Sequence, residues 1–372
     1  MILDLVNMLY ILTILLIIQR YYNIKKLYLI IILFHALSIF LFNGLIFEVT
    51  YMPDQFSYLK VARNIRDFDF LNEENFFSGN TVYVSGIIFG LFPIPFINSV
   101  YSIGMINFLF YLYVFLFMYK KGFLQSKMLS YFYLLYPSLL LYSSVALRDM
   151  LIFVVMFFGT YFILIKKQNL VGFTSLFFLT FIKVQNLLIF IVSFVIGSFF
   201  SRKINLKYIV FSLFSFLTVF IMFTDYFSVE SINHYRSAFY HENIQKTDEP
   251  FIAISSYYEL LYSSLPSALK FMFRPLPWEE FGVFQALQFI ENCVIIFLIL
   301  WIMYKNIKYK LLFTHEVKLL NILLLLALIV YGLVSYNSGT AVRYKFPFIT
   351  IYLIFSYYYI HRIKNKLIKY SK

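Results

Sequence analysis

Cysteine is all but missing: Cys293 is the only one in 372 residues. Neither a disulfide framework nor a cysteine metal cluster can be built from it. Charge is scarce too, with 13% of residues charged against 62% hydrophobic. No soluble fold hides that much apolar surface, and a mean hydropathy of +0.79 agrees. Internal repeats, low-complexity linkers and a soluble domain are not seen in the chain. The first apolar segment shows no basic leader and no small-residue cleavage site, so it reads as a span rather than a signal peptide. Acidic residues are the scarcer charge, 18 against 31 basic. The net charge of +13 is what loops facing anionic lipid carry, and it points to no nucleic acid partner.

What the chain does have is apolar runs. Leu27–Phe47, Leu206–Thr224 and Leu319–Tyr336 reach the length that crosses a bilayer, and about eleven crossings are expected in all, since each needs roughly 20 residues. They fall near 2–19, 27–47, 101–119, 128–146, 150–166, 170–185, 187–201, 206–224, 284–304, 317–335 and 346–361. The loops between them separate by charge. Arg20–Lys26, Lys120–Lys127, Lys166–Lys167, Arg202–Lys207, Lys305–Lys318 and the tail Arg362–Lys372 are basic, and Glu316 is their only carboxylate. The alternate loops hold the acidic residues. Lys and Arg are retained on the cytoplasmic side, so the basic loops and C-terminus are inside and the acidic loops outside. The expected architecture is an all-α polytopic membrane protein forming one integral membrane domain over 1–372, with its chemistry on the outer face.

Residues 81–97 interrupt this simple count. They are apolar enough to enter the membrane, yet a full crossing there would push Lys120–Lys127 outside. Gly86, Gly90, Pro93 and Pro95 also argue against a continuous helix. A re-entrant or interface-lying element is expected, and irregular backbone at that depth survives only inside protein or beside a wet cavity.

The outer loops sort into four pieces. The first outer loop, 48–97, opens with Pro53 and Asp54, which place a carboxylate at the start of a short amphipathic helix. Phe56, Leu59, Ala62 and Ile65 form its expected apolar stripe. Asp54 is either a capping group or a catalytic one. The second piece is a tight turn whose only charges are Arg148 and Asp149, expected side by side at the membrane surface as a salt-bridged anchor or as part of a site. The third is the turn at Lys183, a cation against the inside bias that either snorkels or serves a site. The fourth is the large loop 225–283, tyrosine-rich and ending in Arg274, two prolines and Trp278. Beyond it, Glu291 is an intramembrane carboxylate, a kind that usually faces the bundle interior and marks a site or pathway. The last outer loop adds Arg343 and Lys345.

Carboxylates and cations at the outer rim of a membrane cavity suit transfer of lipid-linked sugars. The anionic leaving group needs Arg or Lys, and Arg148, Lys183, Arg274 and Arg343 are available. The acceptor hydroxyl needs a base, for which Asp54 and Asp149 are the candidates. Trp278 is a rigid aromatic neighbour to that chemistry.

The P-D-x-x-x-Y beginning at Pro53, the juxtamembrane helix, the Gly/Pro-rich segment and the Arg148-Asp149 pair together resemble the GT-C superfamily of membrane glycosyltransferases. That resemblance implies a catalytic or metal-binding role for Asp54 and an assisting role for Asp149. The P-S-x-x-x-x-S-S-x-A-L-R-D ending at Asp149, the R-P-x-P-W-E from Arg274 and the G-x-x-x-R-Y-x-x-P around Arg343 resemble bacterial O-antigen and capsule polymerases. It implies that Arg148, Arg274 and Arg343 grip the lipid diphosphate of a growing chain. The chain departs from the pattern by an additional N-terminal span and by lacking a clear D-x-D; Asp67-Phe68-Asp69 has that spacing within the juxtamembrane region.

The expectation is therefore a polymerase of polyprenyl-diphosphate-linked repeat units, in lipopolysaccharide or capsule synthesis, at a bacterial cytoplasmic membrane. Its partners would be the lipid-linked oligosaccharide, membrane lipids and a chain-length regulator protein. No cofactor is required by the sequence, and a divalent metal is left open. Two alternatives stand beside it: a transferase of one sugar from a polyprenyl monophosphate, and a transporter of lipid-linked oligosaccharide.

Overall fold

The computed structural model describes residues 2–68, 81–199, 210, 214, 228–242, 251–276, 278, 282–336 and 338–370. Among the described residues there are helices and no strand. Five helices are long and apolar enough to cross a membrane: Ile2–Tyr22, Val100–Lys120, Asp149–Lys166, Val283–Lys308 and His315–Val334. Shorter apolar helices occupy Lys26–Phe42, Thr81–Leu91, Asn169–Ile182 and Val184–Ser198. The multi-pass helical class follows from these. Several expected crossings take a different form, while 206–224 lies outside the described residues apart from Val210 and Phe214. The expected span 128–146 is two short helices because Pro137 holds Tyr136 in an extended conformation. The expected span 346–361 lies within the single long helix Ser338–Tyr370.

The chain divides into two compact units, Met1–Val184 and Gln185–Lys372. The first is built around α5 (Val100–Lys120), which packs against α1 (Ile2–Tyr22), α2 (Lys26–Phe42), α3 (Asp54–Arg66) and α8 (Asp149–Thr160). Ser99 caps α5 by accepting from the Ser102 N–H. Between them run α4 (Thr81–Leu91), α6 (Lys127–Leu135) and α7 (Pro137–Tyr142), and α8 continues as a π-helical turn over Tyr161–Lys166. After α9 (Asn169–Phe177) and α10 (Leu179–Ile182), one residue, Lys183, leaves helical backbone before α11 (Val184–Phe199).

The 81–97 segment is neither a full crossing nor a free loop. Helix α4 has 11 residues, about 16 Å at 1.5 Å per residue, well short of the roughly 30 Å hydrocarbon core. Gly86 lies on Val61 and Gly90 on Ile65, each one turn further along both helices, so α3 and α4 run parallel. A Cβ on Gly86 would stand 2.5 Å from that of Val61, which is why glycine is needed at this contact. Beyond Leu91 the backbone is irregular, and side chains satisfy its carbonyls. Arg66 donates to Gly90, Phe92 and Ile94 at 2.6, 2.5 and 2.9 Å, and Arg63 donates to Asn98. Asn7 of α1 both donates to and accepts from Phe96, and Tyr10 reaches Pro93. The α3 stripe is shifted from expectation: Gln55, Tyr58, Leu59, Ala62 and Ile65 are buried, while Phe56 is exposed.

The second unit contains α11, α12 (Val229–Glu242), α13 (Tyr257–Phe273), α14 (Val283–Lys308), α15 (His315–Val334) and α16 (Ser338–Tyr370). Helix α16 is apolar on all sides between Phe346 and Phe355, and it is buried there nearly throughout, as such a helix must be. It packs against α13, α14 and α15. Helix α14 instead exposes Leu287, Ile290, Val294, Phe297 and Tyr304 at helical spacing. Water tolerates no such apolar stripe along a whole helix, whereas lipid does.

Candidate functional site

In the first unit the polar side chains converge on one short segment, the Ser143–Arg148 turn. Two buried amides take up three of its carbonyls, and a third amide takes up one of its N–H groups. Asn43 donates to Ser144 O at 3.0 Å, and Asn107 donates to Val145 O and Leu147 O, both at 2.7 Å. Gln55, the second residue of α3, accepts from the Ala146 N–H at 2.8 Å. Ser144 Oγ lies 2.7 Å from Ser38 Oγ. Further in, His35 Nε2 donates to Leu134 O at 2.8 Å, a carbonyl released where α6 stops ahead of Pro137. Nδ1 faces Ser143 Oγ at 3.4 Å, and that hydroxyl donates to Leu140 O at 3.1 Å. The imidazole stacks on Tyr111, which stacks in turn on Tyr133.

The Gln55 bond brings the first two outer pieces together. Asp54 is exposed at the first position of α3, with Pro53 as N-cap. Asp149 opens α8, at the end of a helix that favours negative charge. It is buried, at 4% exposure, and Arg148 is half-buried. Asp149 is thus enclosed by protein, beside the amides that hold the turn. Arg148 Nη1 is buried with no hydrogen-bond partner among the described residues. Lys183 is half-buried at the α10–α11 break.

In the second unit the site residues gather at the C-terminal end of α13. Arg274 caps that helix, is 6% exposed, and directs Nη1 to Ser335 O at 3.4 Å. Its carbonyl accepts from Asn292 Nδ2 at 2.7 Å and from Lys345 Nζ at 2.8 Å. Glu291 is buried, at 9% exposure, as its intramembrane position leads one to expect. It lies in electrostatic reach of Lys345, which is 3% exposed. Arg343 stays half-buried two residues earlier, and Trp278 is 79% exposed. Pro277, Glu279 and Glu280 of the same corner lie outside the described residues.

Sequence reasoning missed Asn43, Gln55, Asn107, Asn292 and the His35–Tyr111–Tyr133 stack, and it named Lys345 without giving it a role. The signal was there for Asn107, a lone amide in the run Ile103–Val114, because polar residues inside spans face protein and carry a purpose. Among the described residues no three of His, Cys, Asp and Glu converge to hold a metal ion, and Asp69 lies outside them. No protein-family model, no curated protein and no solved structure matches the chain.

Proposed function

We propose that the protein is a polysaccharide polymerase of a bacterial cytoplasmic membrane. It moves a growing glycan from a polyprenyl diphosphate onto the next lipid-linked repeat unit at the outer face, with the C-terminus inside. The observation carrying this reading is the Gln55–Ala146 bond, which holds the loop bearing Asp54 against the turn bearing Arg148 and Asp149. Asp54, exposed, is the base that takes the acceptor hydroxyl's proton. Asp149, buried, orients the group beside it. A buried guanidinium N–H without a partner, as on Arg148, is costly unless an oxyanion arrives to accept from it.

A polymerase handles two lipid diphosphates and so needs two sets of cations, whereas a monophosphate-dependent transferase needs one. In support of two, Arg148 belongs to the first compact unit and Arg274 and Arg343 to the second. A divalent metal is not required for this assignment.

The test is a gel of surface glycan from cells lacking the protein, complemented with variants. Asp54→Asn and Arg274→Ala are each expected to abolish the long-chain ladder and leave a single-unit band, at unchanged protein level. A normal ladder from Asp54→Asn would overturn the base assignment. Loss of every glycan band in the deletion would point to a transporter instead, and an unchanged ladder there to a single-sugar transferase.

A further inference from the structure

The cation that the fold brings to the Arg274 corner is Lys345. Its ammonium donates to three carbonyls at the end of α13: Phe271 at 3.4 Å, Met272 at 3.2 Å and Arg274 at 2.8 Å. An ammonium has three hydrogens, and these contacts use them all. With 3% of its surface exposed, Lys345 has nothing left to offer a phosphate. Its charge is instead matched to the negative end of α13 and to Glu291 on α14. Asn292, next to Glu291, donates to Phe273 O at 3.3 Å and Arg274 O at 2.7 Å. The Arg274 N–H is itself bonded to Lys270 O at 2.9 Å. The backbone of Arg274 is thereby held on both sides, by three different helices.

We propose that Lys345, with Asn292, is a positioning residue that fixes the Arg274 guanidinium for an anionic lipid diphosphate and does not itself touch that ligand. This rests on the reading in which Arg274 binds the lipid diphosphate. Without Lys345 the Phe271 and Met272 carbonyls lose its ammonium, Arg274 O keeps Asn292 alone, and the corner shifts. A shift of about 1 Å in a positioned group costs as much as about a hundredfold.

The test titrates undecaprenyl diphosphate into the full chain in lipid nanodiscs. Arg274→Ala is expected to weaken binding about tenfold or more, the scale of a lost charge-assisted bond. Lys345→Met is expected to weaken it by a similar factor, and Lys345→Arg, which still donates to carbonyls, by less than about threefold. The double variant Arg274→Ala/Lys345→Met is expected to bind no worse than Arg274→Ala alone, because Lys345 acts through Arg274. Additive losses would overturn the proposal and make Lys345 a direct ligand. Wild-type binding by Lys345→Met, beside a weakened Arg274→Ala, would overturn it and leave the Arg274 assignment standing. Wild-type binding by Arg274→Ala would remove both together. Should Lys345→Met fail to reach the membrane, Asn292→Ala takes its place in the cycle with the same expectations.

Discussion

Single residues in this protein are chosen for what the backbone around them lacks. Asn43, Asn107 and Gln55 each sit opposite a peptide group of the Ser143–Arg148 turn that no helix can satisfy. Buried peptide groups in lipid have no water to turn to, so side-chain amides do the work of a ladder. Gly104 belongs to the same arrangement. A Cβ there would collide with the Ser144 carbonyl and crowd Ile39. Gly104→Ala should therefore push the turn off its amides and cost about 1–3 kcal/mol, as overpacking does. Thermal unfolding in detergent measures this, and a melting temperature equal to wild type would show that the turn yields freely. Asp54 was legible as a candidate from its position after Pro53. The burial of Asp149 was not, because it depends on amides distant in the chain.

Among the elements, α3 and α4 carry the most unusual duty. An 11-residue helix followed by broken backbone leaves carbonyls that must be capped, and Arg66 caps three of them. Arg63 and Arg66 thus belong to the scaffold, although by residue type alone they resemble substrate ligands. Arg66→Met should destabilise the first unit by about 1.5–3 kcal/mol, the range for hydrogen bonds from a charged group. It should also speed hydrogen exchange between residues 92 and 99. Unchanged exchange there would mean that α1, through Asn7 and Tyr10, holds the segment unaided. The interruption itself was readable from Pro93 and Pro95, whereas Gly86 and Gly90, expected to break the helix too, lie inside the continuous α4. The parallel course of α3 and α4 was not, since glycine records that something approaches closely without recording what.

For the whole molecule, charge partition makes a topology that can be checked. In a Cys293→Ser background, Lys121→Cys should resist a membrane-impermeant maleimide in intact cells, and Tyr258→Cys should react. Both side chains are exposed on the protein, so neither is shielded from the reagent by packing. Labelling of Lys121→Cys would place 81–97 across the bilayer and invert every later loop. The division into two compact units had no counterpart in the composition, which is uniformly apolar.

Composition and charge pattern by themselves determined the class: too little charge for a soluble fold, apolar runs of bilayer length, and basic loops set apart from acidic ones. These are properties of segments, and transfer from water to lipid depends on segments. Which polar side chains meet was decided only by the tertiary structure. Gln55 finds Ala146, Arg66 finds Gly90 and Lys345 finds Arg274 through packing of helices far apart in the chain. Inside a bilayer a buried donor without an acceptor is costly, and the pairing that satisfies most of them is set by three-dimensional neighbours rather than by spacing along the chain.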